Sequence, residues 1–319
     1  MDSFNRAYGP SLLGTGPGSQ ANLAEDHRLH GCAPLNTVDG RDGYAQVLLA
    51  PLNAAFPRGE ERCDIRLAGN YKDGDWVASS GHIAGLFEQA LFGIPATGRT
   101  AMVRFGRFER HHDGKIAETI LILDLPALMM QSGCWPCGPA MGPAFPAPGP
   151  ATHDGMVGPD DGGGAASLAL VNAMIGGLHE FDGSLQSMGM RGYWTDDFWW
   201  YGPAPIGNFR GHADYERGHQ LPFLTAFPDR EGGNHRARIG QGMYTASAGW
   251  PSITATHAGG GWLGLAPTGR AVTMRVMDFW RRDGDRLAEN WVMIDIPDLL
   301  DQMGIDVFER MRVLLQRAT

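Results

Sequence analysis

The chain repeats itself. Pro95-Ala-Thr-Gly-Arg99 opens a run of signals that returns from Ala266-Pro-Thr-Gly-Arg270 onward. Arg99 is matched by Arg270, Arg104 by Arg275, Glu118 by Glu289 and Asp124 by Asp295. Pro126, Gln131 and Gly133 are matched by Pro297, Gln302 and Gly304, always 171 positions apart. The register continues upstream, where Gly40-Arg-Asp-Gly-Tyr44 lies over Gly211-His-Ala-Asp-Tyr215, and Pro51-Leu-Asn-Ala-Ala-Phe-Pro57 over Pro222-Phe-Leu-Thr-Ala-Phe-Pro228. A period this long is a duplicated domain rather than a solenoid unit. Whatever fold the chain adopts must therefore occur twice.

The repeat divides the 319 residues into a first domain at 1–137, with a shortened N-terminal part, and a second at 165–319. Between them, 138–164 is dense in glycine and proline and reads as a linker, part of which can lie against a domain surface. Each copy is long enough to bury a core. A net charge of −9 argues against a nucleic-acid partner, which requires a basic face. No apolar run reaches the length of a membrane span, and the N-terminus has no signal-peptide layout. Four cysteines suit a reducing compartment, so a cytoplasmic location is expected.

Within each copy, helical signals at 43–56 and 215–227 precede strand-like runs. Lys72-Asp-Gly-Asp75 marks a hairpin between Cys63–Tyr71 and Trp76–His82, and a second Asp-Gly turn follows Thr100–Arg110. In the second copy a hairpin is expected around 246–249. The second copy also has an N-terminal helix, 165–181, and an aromatic strand, 190–201, whereas residues 1–29 show little order. Strands that follow one another, with helices segregated from them, define an α+β class with an antiparallel sheet. In the last strand Glu118, Ile120, Ile122 and Asp124 share one face, as do Glu289, Trp291, Met293 and Asp295. The other face is apolar too, so both faces need cover.

Gly81-His-x-x-Gly85, the Pro-Thr-Gly-Arg turn, Asp-Gly-Lys-Ile-x-Glu118, Asp124 and Gln131-x-Gly133 together resemble the SnoaL-like polyketide cyclases. The second copy carries the same order from His257 to Gly304. The resemblance covers residues 30–133 and 165–310. It implies the cone-shaped α+β fold of nuclear transport factor two, scytalone dehydratase and ketosteroid isomerase, with an internal cavity in each copy. Because such domains pair through their sheets, a tandem chain implies an intrachain pseudo-dimer, with a further homodimer left open. The resemblance also implies no metal and no organic cofactor. An acidic side chain on the inward face of the last hairpin would work on a small, apolar or aromatic, carbonyl-bearing ligand. Aldol cyclisation or isomerisation is the first expectation. Hydrolysis or dehydration of an ester, lactone or epoxide is the second, and ligand binding without turnover the third.

The catalytic candidates are Glu289 and Asp295 with His257, and in the first copy Glu118 and Asp124 with His82. A carboxylate in an apolar pocket has the raised pKa that a general base requires. Each has a plainer role open to it: Arg104 and Arg275 stand ready to pair with the glutamates, and the aspartates precede Leu-Pro and Ile-Pro as helix caps do. Trp200, Tyr201, Trp291, Trp250, His30, Arg104 and Arg275 are candidate ligand contacts. The intact aromatic strand favours the second copy as the active one. Cys134-Trp-Pro-Cys137 has no partner motif for zinc, and the loop from Gly14 to Gly18 lacks the lysine of a phosphate-binding loop.

Overall fold

A computed structural model describes residues 11–14, 20–72, 74–158 and 162–317. Residues 1–10, the 15–19 part of the glycine loop, Asp73 of the expected hairpin turn, Pro159, Asp160 and Asp161 of the linker, and residues 318–319 lie outside the described residues. The chain forms two compact units. One holds residues 1–137 together with 295–319, and the other holds 138–294. The boundaries of the sequence repeat and of the compact units therefore differ. Residues 295–304 close the second copy of the sequence repeat, yet 295–319 group with the first unit, and the Pro-rich stretch groups with the second.

In the first unit β1 (Leu23–Gly31), β2 (Thr37–Asp39), β3 (Glu60–Tyr71), β4 (Gly74–Leu86), β5 (Thr100–His112) and β6 (Lys115–Leu123) form one sheet, ordered β2-β1-β6-β5-β4-β3. In the second, β7 (Trp194–Tyr201), β8 (Asn208–Arg210), β9 (Glu231–Gly232), β10 (His235–Gln241), β11 (Tyr244–Thr256), β12 (Ala271–Asp283) and β13 (Arg286–Ile294) follow the order β10-β11-β12-β13-β7-β8, with β9 beside β11. The sheets are mixed rather than wholly antiparallel. β1 runs parallel to β6, and β7 parallel to β13. The first strand of each copy precedes its helix and returns beside the last strand, a pairing that no hairpin signal announces. In the first copy this strand begins at Leu23, inside the stretch whose sequence showed little order.

The Asp113-Gly114 turn has φ of 48° and 73°, the left-handed pair that a two-residue hairpin demands. In the second unit the β10–β11 turn falls at Gly242, with φ of 54°, rather than at 246–249. Ala246, Ser247, Ala248 and Gly249 instead lie inside β11, each buried.

A helix at 41–55, and its counterpart at 211–226, packs against each sheet. Each contains a π-helical turn, Ala45–Leu49 and Glu216–Gln220. The second unit adds the helix Gly164–Leu178. The Pro-rich stretch is laid along this unit by backbone bonds. Met141 N donates to Pro205 O at 3.1 Å, and Trp291 Nε1 donates to Pro148 O at 2.8 Å. Asn208 Nδ2 donates to Phe145 O at 2.9 Å. No described helix is long and apolar enough to cross a membrane.

Candidate functional site

Alternation along β12 and β13 decides which side chains meet inside the second unit. Val276, Asp278 and Trp280 on β12, and Asn290, Val292 and Ile294 on β13, point to one face and line a cavity of about 210 Å³. The helix 211–226 closes it with Tyr215, His219 and Gln220, and Trp200 of β7 forms a wall. The His219 ring lies stacked on Trp200, with centroids 4.1 Å apart and planes 22° apart.

Asp278 is the carboxylate of this cavity. Across the sheet it stands in a row with Ser247 and Arg238. Its Oδ1 accepts a long hydrogen bond, 3.4 Å, from Asn290 Nδ2. Burial among apolar walls pushes its pKa from 3.8 up to about 7, against the pull of the Asn290 bond and the Arg238 charge. The side chain keeps some accessible surface, and it lines the cavity. Burial pushes His219 down to about 3, so its imidazole is neutral. Tyr215 is pushed upward by burial, with the Asp278 charge acting in the same direction.

Of the residues expected at the site, Trp200 lines this cavity. The others lie elsewhere. Glu289 is on the opposite face of β13, 2% exposed. Arg281 Nε donates to its Oε2 at 2.5 Å, and Ala151 N donates to both its oxygens at 3.3 Å. Tyr201 and Trp291 share that face, with Tyr201 stacked between Trp199 and Trp291. Asp295 and Asp124 cap helices, accepting from Asp298 N at 3.3 Å and Ala127 N at 3.1 Å. Asp295 also accepts from Ala33 N at 3.0 Å.

Glu118 meets Arg110 at 3.2 Å and His30 at 3.6 Å. The arginine opposite each glutamate in the hairpin register is thus Arg110 or Arg281, not Arg104 or Arg275. Arg104 is buried, which lowers its pKa to about 10 against the nearby charge of Asp124. Arg275 lies over the Trp250 ring at 4.9 Å.

His82 and His257 are not counterparts. His82 sits within β4 opposite Arg104, with Nδ1 3.1 Å from Asp64. His257 follows the end of β11, bonded through its backbone to Arg270 and Gly269 as Phe87 is to Arg99 and Gly98. Its ring packs on Phe227 and meets Thr268 Oγ1 at 3.2 Å. Cys134 and Cys137 are free thiols whose pKa values burial raises.

The first unit answers the same positions differently. The hairpin register puts Arg107 where Asp278 stands, opposite Ser79 as Asp278 is opposite Ser247. Arg107 meets Glu61 at 3.1 Å and Glu109 at 3.7 Å, all three largely buried. Leu48 and Leu49 replace His219 and Gln220. A buried ion triad fills the place of the acid.

These features define two copies of an α+β sheet-and-helix unit, one of which holds a carboxylic acid in an apolar cavity. The chain belongs to the SnoaL-like polyketide cyclase family, whose model matches residues 19–132 and again 186–303. Among solved structures it is similar to a SnoaL-like protein of Jannaschia sp. CCS1, at 19% identity over 40% of this chain and 88% of that one, with a TM-score of 0.34. AclR of Streptomyces galilaeus matches at 23% identity over 44% of this chain and 96% of that one, with a TM-score of 0.36. IdmH of Streptomyces antibioticus matches at 23% identity over 42% and 98%, with a TM-score of 0.34. A search of curated proteins found no match.

Proposed function

We propose that the second unit is an acid/base catalyst of the polyketide-cyclase kind. It acts without a cofactor on a mainly apolar, carbonyl-bearing small molecule, by aldol cyclisation or isomerisation. The observation that carries this reading is Asp278, a carboxylate among Trp200, Trp280, Val276 and Val292 with its pKa raised to about 7. A base poised near the working pH accepts a proton from carbon and returns it with the least loss in either direction. The apolar and aromatic walls suit a flat ligand. The family membership supports cyclase-like chemistry in general; the acid, the reaction and the ligand class are our assignment.

The test is turnover. The purified chain and its Asp278→Asn variant are incubated with polyketide esters, lactones, epoxides and enones, and products are followed by mass. A product of unchanged mass that the variant fails to make supports the proposal. Equal turnover by the variant refutes Asp278 as the base, and a gain of water would redirect the reading to hydrolysis.

A further inference from the structure

Opposite Asp278, the helix 211–226 brings two polar side chains into the cavity with nothing to bond. His219 is 7% and Gln220 4% exposed, and both line the cavity. His219 Nδ1 and Gln220 Nε2 are buried without a hydrogen-bond partner among the described residues. Exchanging the two ends of the Gln220 amide would not help, because no bond reaches its oxygen either. A buried polar atom left unpaired costs about 1–3 kcal/mol, so two neighbouring ones call for a reason.

The duplication supplies the control. The first unit has the same π-helical turn, and there Leu48 and Leu49 occupy the two positions, 0% and 3% exposed. The backbone device therefore does not need polar side chains. The polar pair occurs in the copy that carries Asp278 and is replaced in the copy that carries Arg107. π-Turns are frequent at functional sites because they re-aim the side chains they contain.

We infer that His219 and Gln220 form a binding subsite for an acceptor oxygen of the ligand, a ketone, ester or enolate oxygen, held across the cavity from Asp278. This deepens the acid/base reading and rests on it for its chemistry. Asp278 takes a proton from the carbon beside the carbonyl. The electron pair of the broken C–H bond moves into the enolate, and charge gathers on the oxygen. The amide N–H of Gln220 and the imidazole N–H of His219 donate to that oxygen, and the imidazole stays neutral throughout because burial keeps it so. The proton then returns from Asp278, to carbon in an isomerisation or to the new alkoxide in an aldol closure. Donors placed where charge develops need no reorganisation when the reaction occurs.

Binding tests this without turnover. The probes are 2-acetylnaphthalene, which offers a carbonyl oxygen and no donor, and 2-isopropylnaphthalene, which has the same shape without the oxygen. Calorimetry on the full chain should give a preference of about tenfold for the ketone, the worth of roughly one to two buried hydrogen bonds. Gln220→Leu and His219→Leu, which install the first unit's residues, should each weaken the ketone several-fold and leave the hydrocarbon unchanged or tighter. The hydrocarbon thus reports whether each variant keeps its cavity, and Gln220→Met, which keeps the size and loses the donor, should behave like Gln220→Leu. The carbonyl stretch of the bound ketone should lie at lower frequency in the wild type than in Gln220→Leu.

Equal affinities for the two probes in the wild type overturn the proposal. So does a ketone preference retained by all three variants, or no binding of either probe. Asp278→Asn should keep the preference, so a failure of the acid assignment and a failure of this subsite are distinguishable.

Discussion

Replacing Asp278 by asparagine keeps the shape of the side chain and removes its titration, so it isolates what burying this acid costs. The folded pKa, about 7, lies above the ordinary 3.8. The native state therefore binds more protons than the unfolded chain between pH 4 and 7, and stability falls as pH rises through that window. Above pH 7 the cost levels off. At about 1.4 kcal/mol per pH step, the full displacement corresponds to about 4 kcal/mol. Asp278 keeps some accessible surface along the cavity, and water there screens it, so about 2 kcal/mol is the working figure. The variant should match the wild type near pH 4 and exceed it above pH 7, where a unit of this size would melt roughly 4–8 °C higher. Thermal melts followed by circular dichroism at steps from pH 4 to 8 measure it. A difference that is flat across that range, or a variant less stable at pH 8, would refute the argument that desolvation dominates at this residue. The same variant should be inactive, gaining stability where it loses function.

If Asp278 acts as the base, kcat/KM should rise with pH through an apparent pKa near 7; a flat profile from pH 5 to 9 speaks against it. Glu289→Gln leaves the buried Arg281 without its carboxylate and should cost about 3–5 kcal/mol, read as a lower urea midpoint. Trp200→Ala removes the wall on which His219 stacks and should cost about 3–5 kcal/mol, while weakening both naphthalene probes together. Because Arg107, Glu61 and Glu109 occupy the corresponding place in the first unit, calorimetry should find one probe molecule per chain, and two would contradict it.

Much of the fold was legible because the chain states its pattern twice. The Asp-Gly hairpin, the helices 41–55 and 211–226 and the capping aspartates all follow from local chemistry that the duplication reinforces. The parallel pairing of β1 with β6 was not legible, since strand partners distant in sequence leave no turn signal. The cavity was legible to the level of the hairpin but not of the residue. Both faces of β13 are apolar, so the pattern could not say whether Glu289 or Asn290 points inward, and the bulge between Arg281 and Arg282 shifts the register near the turn. A signal for Asp278 did exist. It is the one charged side chain in Val276-Met-Asp-Phe-Trp280, and its counterpart Arg107 has the opposite sign. A lone charge in an apolar strand, inverted between copies, marks a position where the fold tolerates what function requires.

The two units differ in how the chain enters them. The second is an unbroken stretch, 138–294, while the first is interrupted by it and completed by 295–319. In topological language the second unit is an insertion within the first. During synthesis the inserted unit has its whole sequence available as soon as residue 294 leaves the ribosome. The first unit, although translated earlier, is completed only when its final helices, Ile296–Gln302 and Val307–Arg317, emerge. The half that carries the acid is thus the first that can finish, and the half that carries the ion triad is the last.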